Sequence, residues 1–261
     1  MSPSATELLQ RAEPVARRAA ETLVAMQGSS LDVTRKERRD VVTAADLAAE
    51  RIVVDGLREI SPDATIMSEE MGTIDGQGGT WIIDPLDGTI NYAAGLPWFS
   101  VTMAYQADER TRVGLLHAPT AGIIARYAEG GIATVNDAPA QVSPVRQLSD
   151  AVISVVLTSS FSPEEVARSV EIVRRLGDTA RGVRVICSAG LELTLVAAGQ
   201  LDGVVSIKSD IVSYAAAIPL VRAAGGRVTT LGDRDVLDAD LEKVATNGLI
   251  HDELLDCLRG C

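Results

Sequence analysis

The sequence predicts a mixed α/β protein, and three observations carry that prediction. Apolar residues recur at helical spacing near the N-terminus, strand-like alternation fills the middle, and strands and helices take turns in the second half. With 261 residues, 46% hydrophobic and 23% charged, the chain suffices for one large domain or two closely packed ones. A change in composition near residues 145–150 divides an α+β lobe (1–147) from an α/β lobe (148–261), expected to pack as one compact unit.

Residues 5–27 read as an amphipathic helix, with Leu8, Leu9, Ala12, Val15, Ala16, Ala19 and Leu23 on one side and Gly28 at its end. The charged run DVTRKERRD (32–40) has no apolar period and reads as a mobile loop or an exposed hairpin arm. VVTAADLAAERIVVDGLREI (41–60) reads as a second helix starting near Thr43 or Ala44. ATIMSEEMG (64–72) is a short strand that empties into Glu69 and Glu70, and a glycine-rich connector leads to an apolar strand at Trp81–Ile83. FSVTMAYQ, RTRVGLLHAP and GIIARYAEGG alternate like a meander with one buried face.

In the second half AVISVVLTSS is a buried strand. SPEEVARSVEIVRRLG (162–177) is a helix capped by Ser162, with Pro163 and Glu165 in its first turn. VRVICS is a strand, AGLELTLVAAGQ a helix stopped at Gly199, LDGVVSI a strand, SYAAAIPLVRAAGG one helix and RVTTL a last strand. Pro219 falls within that last helix, where an interior proline costs about 3 kcal/mol or imposes a kink.

The formal net charge of −12 argues against non-specific binding to nucleic acid or to an anionic membrane, since both need a cationic face. No run of about 20 apolar residues spans a membrane. The N-terminus lacks the apolar core of a signal peptide, so a cytoplasmic location is expected. Cys187, Cys257 and Cys261 with two histidines do not suggest a disulfide scaffold or a zinc site.

The chemistry is expected around WIIDPLDGTIN (81–91). Glu69, Asp84 and Asp87 each stand where an apolar strand finishes, a usual place for a site in an α/β sheet. Two unit charges about 4 Å apart repel by roughly 4 kcal/mol at an effective dielectric near 20. No basic residue lies between Glu69 and Asn91 to offset this, which leaves a hard divalent cation such as Mg²⁺, bound by carboxylates, carbonyls and water. Pro85 fixes a torsion that can aim the Leu86 carbonyl at the same ion. Gly88 and Thr89 then open a helix or turn whose N–H groups form a natural phosphate seat. A D-G pair alone is usually only a turn; here it is combined with a cation cage and a hydroxyl, the parts of metal-assisted phosphate hydrolysis.

WIIDPLDGTIN resembles the signature of the inositol monophosphatase family of Mg²⁺-dependent sugar phosphatases. DVVTAAD (40–46), SEE (68–70), CSAGLELTLVAAGQLDG (187–203) and AAGG (223–226) are similar to further segments of that family, in order and at the right distances. The resemblance implies a layered α-β-α-β-α sandwich, a homodimer, and hydrolysis of a small phosphorylated metabolite by activated water. It implies two or three Mg²⁺ ions per site, for which Mn²⁺ substitutes. Carried over, Glu69, Asp84 and the Leu86 carbonyl hold the first ion, and Asp84 and Asp87 reach the second. Asp46 and Thr89 orient and deprotonate water, and the amides of Gly88 and Thr89 hold phosphate. A catalytic role falls to Asp46, Glu69 and Thr89, with Asp87, Gly88, Thr89 and Ser213 bordering the phosphate.

The chain departs from the family at two places. Ser213 stands where the family carries an aspartate, and a hydroxyl is a poorer Mg²⁺ ligand than a carboxylate. Asp210 offers a substitute if the helix begins a turn early, since positions 210 and 213 then share a face; otherwise it is an exposed loop acid. Ser206 stands where inositol-type members have a glutamate, so myo-inositol phosphate is not the expected substrate. Arg184 and Lys208 are candidates to line the pocket, whereas His117 is expected to be structural. Two expectations follow: a phosphomonoesterase with a weakened second cation site, acting on a polyol, sugar, nucleoside or amino-alcohol phosphate, or a family-fold protein diverted to binding, regulation or another reaction.

Overall fold

The computed structural model describes residues 3–28, 34–35, 41–42, 44–158 and 160–261. The described elements begin with α1 (Ala5–Met26), an antiparallel pair of β1 (Thr34–Arg35) and β2 (Val41–Val42), and α2 (Ala44–Ile60). There follow β3 (Thr65–Ser68), β4 (Gly72–Ile74), β5 (Thr80–Asp87), the short α3 (Thr89–Ala93), β6 (Ser100–Ala107), β7 (Arg110–Ala118), β8 (Ile123–Ala128), β9 (Thr134–Val135) and β10 (Ala138–Pro139). The remainder is β11 (Val152–Val155), α4 (Pro163–Thr179), β12 (Gly182–Arg184), α5 (Ala189–Ala197), β13 (Gly203–Ser206), α6 (Ile211–Tyr214), α7 (Ala217–Ala223), β14 (Arg227–Thr229), β15 (Lys243–Thr246) and α8 (His251–Cys257).

Two main sheets result. One has the order β10-β9-β8-β7-β6-β5-β3-β4, antiparallel except where β3 lies parallel to β5. The other has the order β12-β11-β13-β15-β14, with β11 parallel to both β12 and β13. The period of two along strands sorts side chains between layers. Leu115 on β7 joins Leu23 of α1, Leu57 of α2 and Trp81 of β5 in one core. Its neighbour Leu116 faces the other way, onto Leu193 of α5, Leu220 of α7 and Val204 of β13. Val205, one residue on, points outward again to Ile172 and Leu176 of α4 and Leu254 of α8. Helix pair, sheet, helix layer, sheet and helix pair make the expected α-β-α-β-α stack.

Several local expectations change. α2 starts at Ala44, as expected, while Val41 and Val42 before it pair with Arg35 and Thr34; residues 32–33 and 36–40 of the charged run, like Thr43, lie outside the described residues. The glycine-rich connector contains a strand, β4, which folds back on β3. The strand at Trp81–Ile83 runs on through both aspartates to Asp87. The strands expected at 151–160 and 183–188 shrink to β11 and β12. The single helix expected after Asp210 is two, α6 and α7, broken at Ala215–Ala216. Pro219 therefore sits in the first turn of α7, where its missing N–H would have had no helical partner, and the interior penalty does not arise. Among the described residues, no helix is long and apolar enough to cross a membrane.

Candidate active site

β5 is buried along nearly its whole length. Against β6 it pairs Asp84 with Thr102 and Asp87 with Ser100, so two residues on β5 face one on β6 and the strand bulges. Pro85, which has no N–H to donate, occupies the bulge. The Leu86 N–H turns back to Asp84 Oδ1 at 3.1 Å. The bulge brings two acids into the interior at one sheet end: Asp84 is 2% exposed and Asp87 5%.

Asp84 is surrounded by like charge. Burial drives its pKa well up, and Glu69, Asp87 and Asp210 push it further in the same direction. Glu69, in the turn that ends β3, is hydrogen-bonded to it. Two carboxyl groups in contact must share a proton or a cation between them. The sequence-selected pair Glu69 and Asp84 is thus brought together.

Asp210 and Ser213 complete that side. Asp210 caps α6, its Oδ1 accepting from the Ser213 N–H at 3.1 Å and the Ser213 hydroxyl at 3.0 Å. The Ser213 hydroxyl also lies 3.3 Å from Asp84 Oδ2. The helix does begin early, and Ser213 bridges an exposed acid to a buried one.

Thr89 opens α3 beside them. Its hydroxyl lies 3.1 Å from Asp46 Oδ1 and 3.1 Å from the Leu86 carbonyl. Asp46, in the first turn of α2, is 3% exposed. Gly88 is the N-cap of α3 at φ 91°, a left-handed conformation that glycine adopts without strain. A Cβ there would lie 2.7 Å from the Trp98 carbonyl oxygen, so the turn has no room for a side chain.

Asp87 is differently engaged from Asp84. Its Oδ2 accepts from Ser188 Oγ at 2.7 Å, Ser100 Oγ at 3.0 Å and the Gly190 N–H at 3.0 Å, and its Oδ1 from the Ala189 N–H at 2.9 Å. The N-terminus of α5 thereby gains a carboxylate, a favourable end of its dipole. Burial raises the Asp87 pKa, and the hydroxyl donors from Ser188 and Ser100 oppose that rise. Oδ2 is fully used; Oδ1 keeps one lone pair for another partner. The main partners of Asp87 in this structure are thus α5 amides and two serines.

Sequence reasoning missed two buried acids. Glu50, one helical turn after Asp46 on α2, accepts from the Ser68 hydroxyl, the Met71 N–H at 2.9 Å and the Glu70 N–H at 3.2 Å. It shapes the turn that carries Glu69, and its i,i+4 spacing from Asp46 was the available signal. Glu192, wholly buried in α5, accepts from the Ser154 hydroxyl and the Ser188 N–H. Burial first, and then the charge of Asp87, push its pKa up to about 7. Of the basic candidates, Lys208 is paired with Glu165 at 3.1 Å, and Arg184 donates to its neighbour's carbonyl, that of Val183. His117 hydrogen-bonds the Ala16 backbone and is structural. A groove of about 500 Å³ between the β6–β7 hairpin and α6–α7 is lined by Arg110, Tyr127, Ile211 and Arg222 and by none of the sequence-selected residues.

The donors fit a hard divalent cation better than any alternative: they are all oxygen, mostly carboxylate, and mutually repulsive without one. Among the described residues, no group of three histidine, cysteine or acidic side chains already surrounds one point as ligands would. Glu69 and Asp84 instead meet each other, and Asp87 turns to α5.

A layered α-β-α-β-α fold with an acid cluster at the end of a bulged strand defines a phosphatase-type class of protein. This chain belongs to the inositol monophosphatase family, whose model matches residues 4–259. It is 35% identical over 217 residues to a Thermotoga maritima fructose-1,6-bisphosphatase/inositol-1-monophosphatase, covering 83% of this chain and 82% of the relative. It is 32% identical over 243 residues to the Escherichia coli K12 Nus factor SuhB, covering 88% and 90%. Among solved structures, the extragenic suppressor protein suhB of Bartonella henselae superposes with a TM-score of 0.90 at 30% identity, over 95% of this chain and 96% of that one. Phosphatase-type function goes with this family, which is generally Mg²⁺-dependent.

Proposed function

We propose that this protein is a Mg²⁺-dependent phosphomonoesterase acting on a small polyol, sugar, nucleoside or amino-alcohol phosphate, as a homodimer in the cytoplasm. The observation that carries the reading is the contact between Glu69 and the buried Asp84, beside Asp87 and Asp210. Glu69, Asp84 and the Leu86 carbonyl would hold one cation. Asp84 and the remaining lone pair of Asp87 would hold a second, with Asp210 and Ser213 at its edge; Mn²⁺ would substitute. When bound, the ions polarise phosphoryl oxygens and acidify water.

The chain's own groups do the rest. A hydroxyl has one proton, so Thr89 commits it to Asp46 or Leu86 and presents its lone pairs to an incoming water. That water is thereby oriented, and its proton passes through Thr89 to Asp46, which acts as base. The N–H groups of Gly88 and Thr89 hold a phosphoryl oxygen. Ser206, 1% exposed with its hydroxyl on the Lys208 carbonyl at 2.9 Å, offers no acid to a sugar hydroxyl, which supports a substrate other than myo-inositol phosphate.

Phosphate release from a panel of esters, with Mg²⁺ titrated, tests the proposal. Turnover is expected, with Asp84→Asn inactive. No hydrolysis of any ester by folded protein at saturating Mg²⁺ would refute it. A second reading, a binding or regulatory protein of the same fold, is favoured by Ser213 and by the relatives named Nus factor SuhB. Ligand binding without turnover is its expected outcome.

A further inference from the structure

Lys243 begins β15 opposite Ser206 of β13 and is 1% exposed. A buried ammonium is expensive unless its donors are all used. Here Nζ donates to Ser209 Oγ at 2.7 Å and to the Asp240 carbonyl at 2.6 Å, and lies 4.9 Å from the centre of the Tyr214 ring. Ser209 Oγ in turn donates to the Leu241 carbonyl at 2.8 Å. The far end is anchored as well, since the Asp240 carboxylate accepts from the Leu237 N–H at 2.7 Å and from Arg234 Nη1 at 2.7 Å.

Through Ser209 these contacts tie one short connection, residues 207–210 between β13 and α6, to the segment 234–241 that precedes β15. The last residue of the connection is Asp210. The strands β13 and β15 already pair over four residue positions, so the ammonium is not what holds them together. A second feature fixes α6 from the other side. A Cβ on Gly190 of α5 would lie 2.9 Å from the Ser213 carbonyl oxygen and 2.8 Å from Thr102 Cγ2. Bare backbone at 190 lets α6 approach α5 and Asp84.

We propose that Lys243 is a positioning residue of the cation site: its ammonium pins the 207–210 connection so that Asp210 presents its carboxylate beside Asp84, in place of the acid absent at Ser213. This rests on the cation reading given above. Lys243 touches neither substrate nor cation, and acts through Ser209.

The test measures binding of Mn²⁺ alone to the full chain, by electron paramagnetic resonance of the free ion, for wild type, Lys243→Met and Ser209→Ala. Wild type is expected to bind in a tight and a weak event. Both substitutions weaken the weak event by about tenfold or more and leave the tight one unchanged, as loss of a ligand-orienting contact does. Should Lys243→Met fail to fold, Ser209→Ala, which leaves the ammonium in place, decides. Folded variants that bind Mn²⁺ like wild type, or that lose both events equally, overturn the proposal. Wild type that binds no Mn²⁺ refutes the cation reading itself and this inference with it, a result visible before any substitution is compared.

Discussion

Ser213→Asp places a third carboxylate on a pair that is already crowded. The Ser213 hydroxyl is 3.3 Å from Asp84 Oδ2 and 3.0 Å from Asp210 Oδ1. An aspartate there puts its charge about 4 Å from Asp84, a repulsion of roughly 4 kcal/mol at an effective dielectric near 20. Rotation of the new side chain and screening around the exposed Asp210 reduce the net loss to about 2 kcal/mol. For a protein of this size that is a fall of roughly 4–8 °C in melting temperature when divalent ions are chelated. Mg²⁺ should reverse the order, because the variant gains the ligand that a cation prefers. Saturation at 100 times the dissociation constant adds about 2.7 kcal/mol to the folded state. Thermal melts in chelator and across a Mg²⁺ titration measure both effects. A variant that melts with wild type in chelator and shows no larger Mg²⁺ shift refutes the placement of residue 213 on a shared cation site.

Two further predictions concern stability and the phosphate turn. His251 is buried between the hydroxyls of Thr229 and Thr246, each 2.8 Å from a ring nitrogen, and burial pushes its pKa down to about 4. The folded state therefore binds fewer protons than the unfolded one between about pH 4 and 6.5, so the stabilisation is complete above about 6.5 and lost as pH falls through 4. Urea unfolding should show a loss of about 2 kcal/mol from this residue across that window, after allowance for nearby solvent, and His251→Gln should flatten it; equal pH slopes would count against it. Gly88→Ala forces a left-handed residue and a Cβ 2.7 Å from the Trp98 carbonyl oxygen. It should cost about 2 kcal/mol or more and lower kcat, measured by melting and phosphate release; an unchanged kcat would mean that this turn does not hold phosphate.

The elements legible in the sequence are those with their own local signal. α1 shows eight buried residues at helical spacing, and α4 carries its capping box at Ser162 and Glu165 as expected. Asp84, Gly88 and Thr89 were legible because strand, acids, glycine and hydroxyl follow one another within nine residues. What escaped was short or depended on partners. β4 and β15 have only three and four residues, too few to show a period, and exist because β3 and β13 offer them edges. The break between α6 and α7 left no clear mark in a run of alanines. Glu50, Glu192 and Lys243 look like surface charges in a sequence, since nothing local says that they are buried.

The order of apolar and polar residues by itself determined the class of fold, the helices that cap themselves and the strand that ends in aspartates, because each of these follows from contacts within a few residues. Only the tertiary structure decided that Asp87 is hydrogen-bonded to the start of α5, that Ser213 stands between Asp210 and Asp84, and that Lys243 is bonded to the connection before α6. Those outcomes join groups as far as 129 residues apart, and a carboxylate's role is set by which charges and donors surround it, which sequence neighbours alone do not specify.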